Sequence, residues 1–364
     1  NGPMTGAALN ALSPYIAIAA GLMVLLLAIS FVRGHAVALL VTLAVLVVGI
    51  LFLSTSMSAG VQMVDNFFLI DGYAKFFNTL FLVAAIVTAL VSYKYLERRA
   101  VHREEFYVLL LTATLGAMTM AAAVHFAAFV LGLEILSISL YAMISYPEEG
   151  QPPLEAAIKY LVLSGVASTT LLFGMALVYS GTGTMEFGEA LSGVGTNEIV
   201  MIGQGMILVG VAFKLSLVPF HMWTPDVYHG APAPVTGFVA TVSKGAVFAV
   251  LMRYIVETNV LVSDAMFLLV SVIAILSMVV GNLLALLQEN LKRILAYSSI
   301  AHIGYLLVAL LVAARVGSSE MALEASMVYL VGYFLMTLAA FGVMTVLSTS
   351  PDTQDAEAVS VYEG

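Results

Sequence analysis

Cysteine is absent from the 364 residues. That excludes a disulfide framework, thiolate iron–sulfur ligation and cysteine-type zinc sites within the chain. Charge is scarce too: Asp, Glu, Lys and Arg make up 10% of the residues, against about 25% in a soluble domain. The basic residues number 13 and form no stripe, which argues against a nucleic-acid partner. No HExxH, CxxC or spaced carboxylate set marks a metal site, and no glycine-rich loop lies between a strand and a helix to cradle phosphate. What remains is apolar, with 62% hydrophobic residues and a mean hydropathy of +1.05. This composition belongs to an all-α polytopic membrane protein.

A membrane-crossing helix takes about 20 mostly apolar residues. Spans are therefore expected near 14–32, 36–54, 75–95, 106–122, 125–146, 155–180, 199–220, 231–256, 262–287, 292–314 and 321–348, about eleven in all. No Lys or Arg precedes the first run and Arg33 follows it, so it reads as a retained span and not a cleaved signal. Arg33, Lys94, Arg98, Arg99, Arg103, Lys292 and Arg293 fall in connections on one side, and Lys75, Arg253 and Arg315 on or near the other. The positive-inside rule puts the first set in the cytoplasm and the N-terminus outside. The formal charge of −9 comes mostly from expected loops, including Glu148, Glu149, Glu186 and Glu189, and from the tail with Asp352, Asp355, Glu357 and Glu363. The chain opens on Asn1, with Met4 as a candidate native start, and stops in the polar stretch 350–364. It is expected to be incomplete at its C-terminus.

Three lysines, Lys159, Lys214 and Lys244, remain inside expected spans. Two of them bracket the stretch FKLSLVPFHMWTPDVYHGAPAPVTGFVATVSK, from Phe213 to Lys244. Pro219, Pro225, Pro232 and Pro234 predict a helix that breaks, unwinds and restarts there. Irregular backbone at membrane depth is tolerated only within protein or beside a water-filled cavity, and an intramembrane charge beside such a break is a transport-site hypothesis. Glu134, in FVLGLEILSISL, is the only carboxylate deep in another span. A Glu134–Lys214 pair that opens and closes would be a proton gate; a static pair or a snorkelling lysine is the alternative. Lys244, between Ser243 and Gly245, is a candidate next site along a lateral path. Lys159 follows Glu155 by four residues, ordinary helix-surface pairing, so a helix-end anchor and a relay both fit it. Among His125, His221, His229 and His302, the last has the best polar company, from Tyr297, Ser298, Ser299 and Tyr305. His221 and Asp226 flank the break as candidate caps.

These motifs resemble the antiporter-like membrane subunits of respiratory complex I and the related Mrp-type cation/proton antiporters. That family shares a pattern close to FKxxxxPFHxWxPD, then APxPV, then a lysine in the next helix; here it reads FKLSLVPFHMWTPD, APAPV and SKGAVF. With Thr224, Val227, Tyr228 and Gly230 the wording resembles the N-subunit branch of bacterial NADH:quinone oxidoreductase (NDH-1) and not the larger siblings or the antiporters. EEFYVLLLTATLGAM, LGLEILSISLYAM, LEAAIKYLVLSGVASTTLLFGMALVY and ENLKRILAYSSIAHIGYLLVAL extend the match, which covers nearly everything from Glu104 onward.

The resemblance implies fourteen helices with two inverted five-helix repeats, each with a broken helix. On this chain that gives three N-terminal helices over 1–105, a first repeat over 106–256 and part of a second over 257–364. It carries over to Glu134 and Lys214 as a helix-5 and helix-7 pair, to Lys244 on helix 8, and to Lys159 and His302 on a central hydrophilic axis. The family's helix-12 lysine has no counterpart in this sequence. The function implied is proton translocation as one subunit of NADH:quinone oxidoreductase in a bacterial inner membrane, with other membrane subunits and lipids as partners. No cofactor is expected in this chain; NADH, FMN, iron–sulfur clusters and quinone are implied for other subunits. A sodium/proton antiporter subunit and a purely structural, sealing subunit are the rival readings.

Overall fold

A computed structural model describes residues 6–56, 60–99, 102–146, 151–188, 197–316, 319–348 and 357–362. The acidic residues expected in loops at Glu148, Glu149 and Glu189 and in the tail at Asp352, Asp355 and Glu363 lie outside the described residues.

Each expected span has its helix: α1 (Gly6–Phe31), α2 (His35–Ser56), α3 (Gly72–Arg99), α4 (Glu105–Ala122), α5 (Phe126–Ile144), α6 (Gln151–Thr182) and α7 (Glu198–Lys214). A short α8 (Trp223–Gly230) follows, then α9 (Ala233–Phe238), a π-helical turn (Val239–Ser243) and α10 (Lys244–Thr258) in continuous succession. The remaining spans are α11 (Asp264–Ala285), α12 (Leu291–Val316) and α13 (Ser319–Leu347). Ten of the spans are long and apolar enough to cross a membrane among the described residues. The eleventh, α7, stops at 17 residues because the chain unwinds after Lys214. A two-stranded hairpin, β1 (Gln62–Val64) and β2 (Phe68–Ile70), is the one sheet among the described residues.

The outer helices carry apolar side chains outward, as Met23, Leu27, Leu40, Leu268 and Val328 do, where a bilayer would cover them. From Ala233 to Ile255 every residue is instead buried, so the other helices wrap around α9, the π turn and α10. Arg33 pairs with Glu105 at 3.9 Å, and Arg99 donates to the Ser348 carbonyl at 3.0 Å. These contacts gather the first and third connections and the far end of α13 at one end of the bundle, called here the basic end.

Candidate functional site

The break after α7 begins at Leu215, and Ser216 adopts a left-handed φ of 62°. Proline at 219 removes a donor and proline at 225 starts the next short helix. Unwinding frees backbone groups that have no water inside a membrane, and side chains satisfy them. The Trp223 indole donates to the Phe213 carbonyl at 3.1 Å, and the Val218 N–H donates to Ser277 Oγ on α11 at 3.0 Å. Lys214 thus sits on the last turn of α7, where the helix dipole favours a cation.

The buried Lys214 ammonium donates to Ser137 Oγ of α5 at 3.0 Å. It also donates to Ser164 Oγ of α6, which receives the Tyr141 hydroxyl at 2.8 Å. Glu134 is not in direct contact with it: the carboxylate accepts from Ser168 of α6 at 2.7 Å. The expected Glu134–Lys214 ion pair is therefore open here, with a row of serines holding both partners. Ser164 and Ser168 lie one helical turn apart on α6, which is why one face can hold both charges.

Lys244 lies at the end of the π turn and is 1% exposed. Its ammonium donates to Ser299 Oγ of α12 at 2.7 Å and lies 5.5 Å from the centroid of the Tyr228 ring, a cation–π distance. Between the two lysines the fill is aromatic and polar. The Tyr141 and Tyr160 rings are 5.4 Å apart, and Tyr160 lies beside Ser243. His302 follows Ser299 by three residues on α12, so both share a face. His302 Nδ1 and the Tyr329 hydroxyl are 2.6 Å apart, and the Tyr333 ring is 5.3 Å away. Tyr333 in turn donates to the Ala240 carbonyl inside the π turn at 3.0 Å.

Lys159 stands apart from this file. It pairs with Glu155 at 2.7 Å and with Asp226 of α8 at 3.2 Å, and 43% of its side chain is exposed. Asp226 also accepts from Arg293 at 2.6 Å, so it joins two basic groups from neighbouring helices and caps no break. These groups and His229 line a cavity of about 110 Å³. Lys292, expected in an open connection, is the buried one, at 1% exposure. It pairs with Glu357 at 2.9 Å and donates to the Ala231 carbonyl at 2.9 Å. Of the other histidines, His125 accepts from the Ala127 N–H at the start of α5, a helix cap. His221 faces the Tyr297 ring at 6.5 Å.

Ser299 was among the polar company noted for His302, but Ser137, Tyr141, Ser164 and Ser168 escaped sequence reasoning. The serines and tyrosines around the lysines are individually unremarkable in an apolar helix. An internal match would have found part of them: LEAAIKYLV at 154–162 and LEASMVYLV at 323–331 share six of nine residues. Continued without a gap, that alignment sets Ser164 against Tyr333 and Ser168 against Thr337.

Buried lysines on a helix broken inside an apolar bundle, joined by hydroxyl and imidazole groups, define a polytopic membrane protein of the transporter type. The profile described as NADH:quinone oxidoreductase/Mrp antiporter, transmembrane, matches residues 123–361. NADH-quinone oxidoreductase subunit N of Methylococcus capsulatus is 44% identical over 365 residues, 99% of this chain and 73% of that protein. A chain of respiratory complex I from Thermus thermophilus superposes with a TM-score of 0.78 at 33% identity, over 91% of this chain and 70% of that one. A chain of the Mrp complex from Dietzia sp. DQ12-45-1b has a TM-score of 0.82 at 19% identity, over 95% and 66%, a likeness of fold alone. The chain belongs to the NADH:quinone oxidoreductase/Mrp antiporter membrane-subunit family.

Proposed function

We propose that this chain is a proton-translocating membrane subunit of a complex I-type NADH:quinone oxidoreductase. The observation that carries the reading is the polar file Glu134–Ser168, Lys214–Ser164–Tyr141, Lys244–Ser299 and His302–Tyr329, inside a bundle whose core is mostly apolar. Charged groups in such a place are costly to keep and mark ion or proton pathways. Lys214 is the gate, because its two serines can be exchanged for Glu134 through small side-chain movements. Closing onto Glu134 favours the charged ammonium; opening releases its proton toward Lys244. Lys244 and His302 pass it on through Ser299 and the Tyr329–Tyr333 pair. Lys159, with Glu155 and Asp226, stands at the mouth on the basic end.

The redox chemistry belongs to partners: NADH, FMN, iron–sulfur clusters and quinone are placed on other subunits, and neighbouring antiporter-like subunits flank this one. The membrane is a bacterial inner membrane, with the basic end cytoplasmic and the N-terminus periplasmic. Residues 1–105 form an N-terminal set, 106–256 a first five-helix repeat and 257–364 part of a second. The 154–162 and 323–331 match supports that division, since α6 and α13 are five spans apart and so cross in opposite senses.

Inverted membrane vesicles holding the assembled complex test the reading. NADH should drive proton uptake without any sodium gradient. Exchange driven by a sodium gradient alone, with no response to NADH, would assign the chain to the antiporter branch instead.

A further inference from the structure

The functional reading leaves Lys292 without a role, yet it is the one lysine other than Lys244 that is 1% exposed. It lies on the second residue of α12, and its contacts converge on the joint between α8 and α9. The ammonium donates to the carbonyls of Ala231, at 2.9 Å, and His229, at 3.3 Å. It pairs with Glu357 at 2.9 Å, whose other oxygen lies 3.1 Å from His229 Nδ1 and 2.9 Å from Asn290 Nδ2. Backbone bonds hold Glu357 in place: the Leu291 N–H donates to the Glu357 carbonyl at 2.7 Å, and the Val359 N–H donates to the Glu289 carbonyl at 3.3 Å.

Geometry ties this pair to Lys244 from two directions. Tyr228, whose ring lies under the Lys244 ammonium, directly precedes His229, so the carbonyls that Lys292 holds flank Gly230 at the joint. Ser299, which receives Lys244, lies seven residues after Lys292, two turns along the same face of α12. One helix face therefore grips the buried span at its end and again at its lysine.

Resting on the proton-translocation reading, we infer that Lys292 and Glu357 are positioning residues for Lys244. The pair fixes the α8–α9 joint against α12, in the register where Lys244 meets both Ser299 and Tyr228. Glu357→Gln takes a carboxylate from beside the fully buried Lys292 ammonium, and Lys292→Met removes the cation that ties Glu357 to the two joint carbonyls; weakening a buried pair from either side is costly and loosens the joint.

The test uses the assembled complex carrying Glu357→Gln, Lys292→Met or Lys292→Arg, with Lys214→Ala as comparison. Amide hydrogen exchange over residues 230–236 reads the joint independently of pumping. Exchange should quicken by roughly tenfold or more in Glu357→Gln and Lys292→Met, as expected for a local opening made easier. It should stay near wild type in Lys292→Arg and Lys214→Ala. Protons taken up per NADH should fall at least about threefold in the first two variants, a modest loss on the scale of barriers, and recover in Lys292→Arg. Unchanged exchange at the joint overturns the inference, as does quickened exchange with normal pumping. If Lys292→Met fails to assemble, Glu357→Gln, which keeps the side-chain volume, carries the test. Wild-type complex that does not pump at all would overturn the parent reading, while the exchange result would still judge the joint.

Discussion

Arg253 on α10 meets both oxygens of Asp71, at 3.0 and 2.9 Å, and donates again to the Ala121 carbonyl at the end of α4. Burial alone would raise the Asp71 pKa, but the Arg253 hydrogen bond and charge outweigh it and hold the carboxyl below its ordinary value. Asp71→Asn should cost about 3 kcal/mol, because it leaves a buried guanidinium short of its partner. The exposed Arg315–Asp264 pair should be worth under about 1 kcal/mol. Thermal unfolding of the solubilised protein with Asp71→Asn and with Arg315→Ala compares them directly. At the basic end, burial opposes ionisation of Glu357, but the His229 hydrogen bond and the Lys292 charge bring its pKa down to about 2. The Glu357 hydrogen bond raises the His229 pKa against burial. A raised histidine value means that its contribution is full below about pH 6.5 and fades as pH climbs through the shifted value. Amide protection of residues 357–362 should therefore weaken with rising pH in the wild type and stay level in His229→Gln. A level wild-type profile would remove the histidine from the contact. Glu134, Lys214, Lys244 and His302 were readable as residue types because each is rare in its apolar setting. Many of the contacts were not: Lys292 is buried against expectation because burial depends on what lies opposite, Lys159 keeps its expected surface pairing with Glu155 but also meets Asp226, 67 residues away, and Asp71 is 182 residues from Arg253.

At the scale of elements, apolar runs of membrane length need no tertiary information, so all the spans were legible, with most ends within four residues and the largest shift, eight, at the start of α1. Pro219 and Pro225 also made the break after α7 legible. The π turn at Val239–Ser243 was not, since no residue there breaks a helix; the turn is set by packing in the fully buried span and by Tyr333 bonding to Ala240. Helix contact is closest where glycine removes the side chain. A Cβ on Gly116 of α4 would stand 2.7 Å from the Leu136 nitrogen and 2.8 Å from the Gly132 carbonyl oxygen. Backbone atoms cannot swing aside, so Gly116→Ala should separate α4 from α5 at a cost of about 1–3 kcal/mol, lowering the unfolding temperature and the yield of assembled protein. Gly281 on α11 repeats the arrangement, with the Ala301 nitrogen 2.8 Å from its would-be Cβ. Gly174 and Gly203 press α6 and α7 together in the same way, each would-be Cβ within 2.7 Å of the other glycine's carbonyl oxygen. An unaltered unfolding temperature in Gly116→Ala would show that the helices can part freely there.

For the whole molecule, the distribution of charge predicts an orientation that the complete lack of cysteine makes easy to measure. Single cysteines placed at Glu97 and at Val61, both exposed and at opposite ends of α3 and its preceding loop, should react with an impermeant thiol reagent from opposite faces. Labelling of Glu97→Cys in inverted vesicles and of Val61→Cys in intact spheroplasts fits a cytoplasmic basic end; the reverse pattern would turn the molecule over. Across the bundle, the buried span of α9, the π turn and α10 carries Lys244 at its centre, with Lys214 and Glu134 on one flank and His302 on the other. In the proposed reading, that arrangement is the route a proton takes along the membrane plane. In the proposed mechanism Lys214 exchanges protons and is not a static structural charge. The direct measurement is NADH-driven proton uptake in inverted vesicles, comparing wild type with Lys214→Ala at matched rates of NADH oxidation and matched assembly. A large loss of protons moved per NADH is the result predicted; pumping equal to wild type would contradict it.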